Sequence, residues 1–285
     1  MIPSLPRSLP SRIASGGYVI AFFVFLFVPL VVVAAFAFND ANYPAPPWRG
    51  FTLDWFAGGH GRTGLFTDQP LLRSVGTSIV VAMAVTLLSV IVGTANAFVL
   101  ERAQFRGKSA LSMLMLAPLV IPGVILGISI LAFASRLAAL ADDVFGLDLD
   151  FLRPGLPLVI IGQFSYIVSI ATLTIAARLR RFDTTLEDAA FNLGASRPAV
   201  LRTIVLPYLK PSLIGAAAIS FLMSFENFNT TLMLVGSDPP LTVMMYGRMR
   251  EGASPVLNAV SLLLMVASAL IALLVIRRPS GDAER

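Results

Sequence analysis

The sequence predicts an all-α membrane protein with six transmembrane helices. Of its 285 residues, 56% are hydrophobic and only 13% are charged. A soluble domain usually carries about 25% charged residues, so this composition indicates lipid as the main solvent. Six apolar runs reach or approach the roughly 20 residues that a helix needs to cross a hydrocarbon core. Because unpaired backbone groups are costly in lipid and no run alternates like a barrel strand, all six are predicted to be helices.

The predicted spans fill most of the chain and leave no second soluble domain. They form one membrane domain, residues 18–276, between an N-terminal segment, 1–17, and a tail, 277–285. Arg7 and Arg12 would suit a signal peptide, but the first run is too long for one and no convincing cleavage site follows, so a retained helix is predicted. The spans are Tyr18–Phe38, Val75–Leu100, Leu111–Phe133, Leu156–Ala177, Leu213–Val235 and Leu257–Ile276.

The basic residues predict the orientation. The side with both termini and the loops after the second and fourth spans carries twice as many Lys and Arg as the other side. The positive-inside rule places this side in the cytoplasm. The net charge of +5 therefore reflects topology, and nucleic-acid binding is not predicted because the basic residues are spread over several loops. The chain has no cysteine, which excludes disulfides and thiolate metal sites.

The loops on the opposite side show no catalytic or metal pattern. The first, residues 39–72, is rich in Pro and Gly and is predicted to be irregular structure on the membrane surface. A later loop has room for a short surface or re-entrant helix around Val243–Glu251. Four aspartates within residues 142–150 could dock a binding protein or hold calcium, but they lack calcium-loop spacing, which favours a solvated acidic loop. The single histidine, His60, supports neither a metal site nor a catalytic dyad.

The third and fourth spans contain residues unusual for a plain apolar helix. A kink in the third span could serve gating, although Pro and Gly are common in membrane helices. The polar groups of the fourth span join helices at least as often as they contact a solute. These residues are Pro118, Pro122, Gly123 and Gly127 in the third span, and Gln163, Ser165, Tyr166, Ser169 and Thr172 in the fourth.

The loop before the third span resembles the end of a phosphate-binding loop. Gly107, Lys108 and Ser109 fit the G-K-[ST] part of that pattern, but Arg102 stands where its first glycine should be. The segment also follows a membrane helix instead of a strand, so a basic turn is predicted. ATP binding is therefore not expected in this chain.

A polar insert, residues 183–211, separates the fourth and fifth spans. Thr184 and Glu187 have the spacing of a capping box, which predicts the start of a helix. Gly194 is placed to end this helix in a left-handed conformation.

A second short helix is predicted in the insert after this turn. Ser196 can cap it, and Pro207 and Pro211 are predicted to end it. The insert is therefore predicted to be a helix–turn–helix outside the bilayer with an apolar stripe. The stripe could pack on this chain's own helix ends or dock a soluble partner.

The stretch EDAAFNLGASRPAVLRTIVLPYLKP, residues 187–211, resembles the cytoplasmic E-A-A…G…L-P loop of permease subunits of bacterial ATP-binding-cassette importers. Asp188 stands where that loop usually has its second Glu. SFENFNTTLMLVG and MREGASPVLNAVS resemble polyamine- and opine-type second permeases, and the resemblance covers most of the chain from residue 75 onward. The residues that match the loop are Ala189, Ala190, Leu193, Gly194, Ala195, Leu206, Pro207 and Pro211.

The resemblance implies the type I importer permease fold in the bacterial inner membrane, with the insert as a coupling loop seated in a groove of an ATPase subunit. Gly194 would then set the turn, and the two acids before it would face polar or basic groups of the ATPase. Asp188 is one methylene shorter than Glu, which puts its contact in question. The implied coupling residues are Glu187, Asp188, Ala189, Ala190, Gly194, Ala195, Leu206 and Pro207.

The resemblance also implies the partners. They are a second homologous permease forming a heterodimer with this chain, two ATPase subunits, a periplasmic solute-binding protein and the surrounding lipid. ATP and Mg²⁺ would be held by the ATPase subunits, so no cofactor is expected in this chain.

One acid lies deep within an apolar run. Glu226 is costly to bury in a membrane, so it is expected to face a bundle interior or a watery path. Asn229 and Thr230, three and four residues later, would share its helical face and extend it into a polar stripe. Two interpretations stay open: a translocation path that attracts a cationic solute, or a structural hydrogen bond to a neighbouring helix or the partner permease.

The resemblance implies the permease subunit of an ATP-driven importer, and together with Glu226 it implies a polyamine-like or other small cationic amine as the solute. The alternative is a secondary transporter working alone, which would need its own coupling-ion site, typically several intramembrane ionisable residues and broken helices in repeated halves. The single Glu226 and the absence of a convincing repeat disfavour it. An intramembrane enzyme is disfavoured because the predicted spans contain no His/Glu metal pair and no Ser/His dyad.

Overall fold

Helices make up nearly all of the described structure. The computed structural model describes residues 9–252 and 254–276, and the only strand-like pairings in those ranges are two isolated bridges, Asn39–Phe51 and Gly59–Arg62. The first eight residues and the predicted tail, 277–285, lie outside the described residues. The described residues of Met1–Gln69 and Arg248–Ala267 form one compact unit, and those of Pro70–Gly247 and Ser268–Arg285 form another.

Twelve α-helices occur among the described residues, and they are numbered in chain order. A π-helical segment, Leu201–Val205, lies between α8 and α9. The helices are α1 (Leu9–Phe36), α2 (Asp54–Ala57), α3 (Gln69–Arg102), α4 (Lys108–Val120), α5 (Gly123–Phe145), α6 (Leu156–Leu179), α7 (Thr185–Asn192), α8 (Arg197–Val200), α9 (Leu206–Phe225), α10 (Asn229–Leu234), α11 (Leu241–Gly252) and α12 (Val256–Ile276).

Five helices of the described chain are long and apolar enough to cross a membrane. They are α1 from Ser15 onward, α3, α5, α6 and the continuous helix Arg197–Phe225. Two shorter apolar helices accompany them, α4 and the Val256–Leu270 part of α12. The predicted all-helical membrane fold is therefore confirmed, and α1, α3, α6 and α12 correspond to the first, second, fourth and sixth predicted spans.

The third predicted span has the wrong bounds. Leu111–Phe133 is not one helix, because α4 ends at Val120 and α5 begins at Gly123. Ile121 is extended, with φ −77° and ψ 128°, as expected for a residue that precedes proline. The membrane-length helix is α5, which continues to Phe145.

The fifth predicted span is also wrong, at both ends. Leu213–Val235 is interrupted between α9, which ends at Phe225, and α10, which begins at Asn229. At its start, the helix of the insert does not stop at the prolines: α8, the π-helical segment and α9 form one helix, Arg197–Phe225. The predicted second short helix is therefore the first part of the fifth span.

Helix α6 lies at the centre of the second unit. Half of its most apolar window is buried. One core cluster contains Val85 of α3, Ile167 of α6 and Leu234 of α10. A second cluster, near the insert, contains Ile175 of α6 and Val205 of the π-helical segment. The insert is thus attached to the spans through this second cluster.

Helix α3 is longer than the hydrocarbon core of a bilayer is thick. A helix of 34 residues is about 50 Å long, whereas the core of a bilayer is about 30 Å thick. The last turn of α3, which carries Glu101 and Arg102, packs in the same unit as the insert.

The first unit contains a more ordered loop than predicted. Within residues 39–68, the buried Trp55 donates from Nε1 to Asn39 O at 2.8 Å, and the Arg62 guanidinium lies 4.8 Å from the Trp55 ring centroid. Asp68 and Arg248 form a two-bond ion pair, with Nη2 to Oδ1 at 2.8 Å. Helix α11 confirms the short helix predicted around residues 243–251.

Candidate functional site

The turn at the centre of the insert is a helix C-terminus closed by glycine. Gly194 has φ +83° and donates its N–H to Phe191 O at 2.9 Å. The N–H of Ala195 donates to Ala190 O at 3.0 Å. These two bonds form a Schellman ending, which needs a left-handed residue that glycine supplies without steric cost. The left-handed turn predicted at Gly194 is confirmed.

The predicted coupling residues lie on two sides of the insert. Ala190 and Ala195 are partly buried against the core cluster near the insert. Asp188 and Ala189 are exposed, and Leu193, next to the glycine, is 88% exposed. Helix α7 has no fully buried residue. One side of α7 therefore rests on the spans, while the other is open to another molecule.

Leu206 and Pro207 lie in the first turn of α9, directly after the π-helical segment. Proline lacks a backbone N–H and would interrupt an ordinary α-helical ladder. A π-helical turn shifts the hydrogen-bond register by one residue, and such turns occur as local bulges within α-helices. The helix therefore continues past Pro207 into the fifth span. A force applied to the insert would act directly on that span.

The predicted capping box is wrong. Thr184 makes no side-chain capping bond and has a helical conformation. Instead, Asp183 Oδ1 accepts from the N–H of Thr185 at 3.0 Å and from its Oγ1 at 2.8 Å. These bonds lower the pKa of Asp183 below its usual value. The Glu187 carboxylate does not bind back to the start of α7, as a capping box requires, and it binds another residue instead.

Two ion pairs join the end of α3 to the segment around the insert. Arg102 donates from Nη1 and Nη2 to the Glu187 carboxylate at 2.7 and 2.5 Å. Its neighbour Glu101 accepts from Nε and Nη2 of Arg180 at 3.1 and 2.7 Å. This hydrogen-bonded carboxylate raises the pKa of Arg180. In the sequence alone, the charges of Glu101, Arg102 and Arg180 do not reveal these pairings.

A neutral hydrogen-bond network lies between the fourth and fifth spans. Gln163, 1% exposed, donates from Nε2 to Thr231 Oγ1 at 2.8 Å and accepts from the Ser224 hydroxyl. Thr231 Oγ1 donates to Asn227 Oδ1 at 2.8 Å, and Asn227 Nδ2 donates to Tyr166 OH at 2.6 Å. Gln163 and Tyr166 therefore join helices, as one of the two interpretations of the fourth span predicted.

Asn227 also binds the start of α10. Its Oδ1 accepts from the Thr231 N–H at 3.1 Å, in the first turn of that helix. This bond satisfies one of the N–H groups that have no partner within the first turn of a helix. Its own carbonyl accepts from Thr242 Oγ1 at 2.8 Å. The break is therefore stabilised by side chains on both sides of it.

A cavity of about 410 Å³ lies where the two broken helices meet. The Ile121–Gly123 break between α4 and α5 lines one part of it, and Asn227, Asn229 and Thr230 line another. Thr230 Oγ1 donates across to Gly123 O at 3.2 Å. Tyr166 completes the polar lining. The remaining lining is apolar, which is the usual composition of a small-molecule site.

Glu226 is separated from the other two predicted path residues. It follows the last residue of α9, whereas Asn229 and Thr230 belong to α10, so the predicted shared helical face is wrong. Its Oε1 accepts from Ser268 Oγ of α12 at 3.1 Å. Asn229 and Thr230 line the cavity, and Glu226 does not.

Comparison with known proteins identifies the chain. Residues 90–277, more than half of its length, match the family described as the binding-protein-dependent transport system inner membrane component. The chain belongs to this family. It is a permease subunit of a binding-protein-dependent transport system, as its sequence predicted.

Individual members of this permease family resemble the chain over most of its length. The spermidine/putrescine transport system permease protein PotC of Escherichia coli is 26% identical over 258 residues, which is 90% of each chain. The putrescine transport system permease protein PotI of the same species is 27% identical over 251 residues, 87% of this chain and 84% of PotI.

A solved structure shows the same fold. A chain in the crystal structure of a bacterial alginate ABC transporter, in complex with an alginate pentasaccharide-bound periplasmic protein, superposes with a TM-score of 0.72. Its sequence identity is 18%, and the match covers 93% of this permease and 91% of that chain. The predicted importer permease fold is therefore confirmed.

Proposed function

We propose that this permease forms half of a translocation path for a small cationic amine, driven by a separate ATPase that binds the insert. The cavity at the two helix breaks is the observation that carries the proposal. In secondary transporters, discontinuous membrane helices commonly form the solute site. The physical reason, that a broken backbone supplies polar groups within the membrane, applies equally to this permease. The names of PotC and PotI support an amine as the solute.

The proposed path begins at the cavity lining. Tyr166, Asn229 and Thr230 provide hydroxyl and amide oxygens that accept hydrogen bonds from an ammonium group. Glu226 lies at the α9–α10 break, outside the cavity lining, where its negative charge attracts cations toward the break. The apolar remainder of the cavity suits the methylene chain of a polyamine.

The insert is the proposed contact with the ATPase. Its exposed side presents Asp188, Ala189 and the apolar Leu193, a combination suited to a groove with a polar rim. The helix that follows is continuous with the fifth span, so a displacement of the insert reaches Phe225 and the break beside the cavity. This continuity provides a mechanical connection between ATP hydrolysis and the path.

The proposed assembly places the insert and both termini in the cytoplasm of a bacterial cell, with the chain in the inner membrane. A second homologous permease completes the path, two ATPase subunits bind ATP and Mg²⁺, and a periplasmic protein delivers the solute. ATP hydrolysis takes place in the ATPase subunits, and this chain contributes no catalytic residue.

Purification followed by uptake tests the proposal. The permease is expected to copurify from detergent with an ATPase, and a photo-crosslinker at Leu193 is expected to attach to that ATPase. In proteoliposomes with the cognate binding protein, putrescine or spermidine should be taken up in an ATP-dependent way, and a neutral sugar should not. Solute transport by the chain alone, without any ATPase, would refute the proposal.

Replacement of Glu226 separates the two interpretations left open by the sequence. Glu226→Gln keeps the Ser268 hydrogen bond and removes the charge, so a charge-based role predicts amine uptake lower by about fivefold, equivalent to one modest charge interaction. Glu251→Gln, the same change in α11, is the matched control and should leave uptake unchanged. Equal uptake by both variants would leave Glu226 with the structural role alone.

A further inference from the structure

We propose that Glu101 and Arg102 are positioning residues, which bind the insert to α3 through two ion pairs so that α3 and α7 move as one body. The inference rests on the proposed coupling function and extends it. It gives the insert a second route to the spans, through the C-terminal end of α3, in addition to its continuity with the fifth span.

The geometry of the first pair supports a firm attachment. The Arg102 guanidinium makes two parallel bonds to Glu187, the arrangement that fixes both distance and orientation. The side chains are 32% and 13% exposed, so water reaches the carboxylate poorly. The guanidinium also lies over the rings of Phe98 and Phe182, at 5.4 and 5.6 Å from their centroids.

The second pair holds the other end of the same connection. Arg180 directly follows α6, and Glu187 lies in the first turn of α7. Adjacent residues of α3 therefore bind both ends of the connection 180–187. A single ion pair would let α7 pivot, whereas two pairs from one helix turn restrict rotation as well as separation.

Few other interactions hold α7 in place. None of its residues is fully buried, and it is followed by the glycine turn at Gly194. Ala190 of α7 packs, partly buried, against the core cluster near the insert. Because apolar packing contributes little here, loss of the Arg102–Glu187 pair is expected to free α7 without unfolding the membrane domain.

Charge reversal tests the proposal in the complete importer. Uptake of putrescine and ATP hydrolysis are measured together in proteoliposomes that contain the copurified ATPase and the binding protein. Arg102→Glu and Glu187→Arg should each lower uptake per ATP hydrolysed by about fivefold or more, because two like charges then face each other. The double reversal should recover part of this loss, because the pair re-forms with opposite polarity while the contacts of the Arg102 guanidinium with Phe98 and Phe182 are not restored.

Arg106→Glu is the matched control, since it makes the same charge change four residues later, at a position with no ion pair in the described structure. It should leave the coupling ratio unchanged. If a single reversal prevents assembly, recovery of assembly by the double reversal still supports the proposal. Unaffected single variants, or a double variant as defective as the singles, would overturn it.

A distance measurement tests the single-body claim directly. Because the chain has no cysteine, labels can be placed at Ile91→Cys on α3 and Leu186→Cys on α7, both exposed positions. The distance between two spin labels should be the same without nucleotide and with ATP, and its distribution should broaden in Arg102→Glu. A shift of several ångströms between the two states would overturn the proposal.

The controls also separate this proposal from the coupling function on which it rests. Failure of the unmodified chain to copurify with an ATPase would refute the coupling function. Active transport by the unmodified chain, together with equally active reversal variants, would refute only the positioning role of α3.

Discussion

The insert and the Gln163 network join helices by opposite chemistry. Around the insert, full charges form the links, as in Arg102–Glu187 and Glu101–Arg180. Around Gln163, the links are neutral hydrogen bonds among amides and hydroxyls. Ionised groups are costly within the hydrocarbon region, whereas beyond it water and headgroups lower that cost.

The difference also sets how each region responds to solvent. The network is buried, so each of its bonds is costly to break without a replacement. The links of the insert are charged and partly exposed, so dissolved ions weaken them more than they weaken the neutral network. The insert has to stay attached to α3 while its outer side engages another molecule, and charged links suit this position near water. The network lies within the spans, where neutral links cost less to bury.

The largest expected effect concerns the seating of α10, which carries Thr231 of the network. A Cβ at Gly127 would lie 2.9 Å from Met233 Cβ and 3.1 Å from Thr230 O. Gly127→Val therefore pushes α10 away from α5, and we expect the free energy of unfolding to fall by about 2–3 kcal/mol. Thermal unfolding of the purified chain in nanodiscs measures this change.

Gly215→Val is the matched control, because a Cβ at Gly215 meets no atom within 4 Å. It should unfold close to the unmodified chain. A Gly127→Val variant as stable as this control would mean that α10 can shift without loss, and that the network region is less rigid than proposed.

The next largest effect concerns the network itself. Gln163→Leu keeps the approximate volume but removes the partners of Thr231 and Ser224. We expect a loss of about 2 kcal/mol in unfolding free energy, because buried polar groups are left unsatisfied. Ser165→Ala on the same helix is the control, since its hydroxyl bonds only to Gly162 O of its own helix. Equal stability of the two variants would contradict a supporting role for the network.

The sequence predicts features that depend on local properties. The lengths of the apolar runs located α1, α3 and α6 because hydrocarbon thickness sets a minimum helix length. Gly194 was found because few other residues accept a left-handed helix ending. In each case, the residues that determine the structural feature lie within one short segment of the sequence.

The features that sequence missed depend on distant partners. Hydropathy continues across both helix breaks, so the apolar pattern does not show them. The structure marks them by the extended Ile121 before α5 and by the bond from the Thr231 N–H of α10 to Asn227. The capping box failed because Glu187 binds Arg102, 85 residues earlier in the chain. The adjacent opposite charges of Glu101 and Arg102 at the end of a span were the available signal for that pairing.

A smaller effect is expected at the turn of the insert. Gly194→Val forces a β-branched residue to φ +83°, at a cost of about 1 kcal/mol. Because Gly194 has no atom within 4 Å of an added Cβ, the cost is conformational and stays within the insert. We expect uptake to fall while thermal stability of the spans is kept. Gly194→Asn should retain more uptake, because asparagine tolerates a left-handed conformation better than valine. An equal loss of uptake in the two variants would indicate that the added side chain disrupts a contact, and that backbone strain is not the cause.

Salt should produce the smallest effect and should distinguish the two regions most directly. Raising the salt concentration screens the partly exposed Arg102–Glu187 pair, because dissolved ions weaken the attraction between charges that solvent reaches. Amide hydrogen exchange in α7 should then accelerate by about twofold to fivefold, while exchange in α6 around Gln163 stays constant because its bonds are neutral. In Arg102→Met the salt dependence of α7 should disappear. Acceleration in α6 equal to that in α7 would show that salt loosens the whole unit, and the contrast between charged and neutral links would not hold.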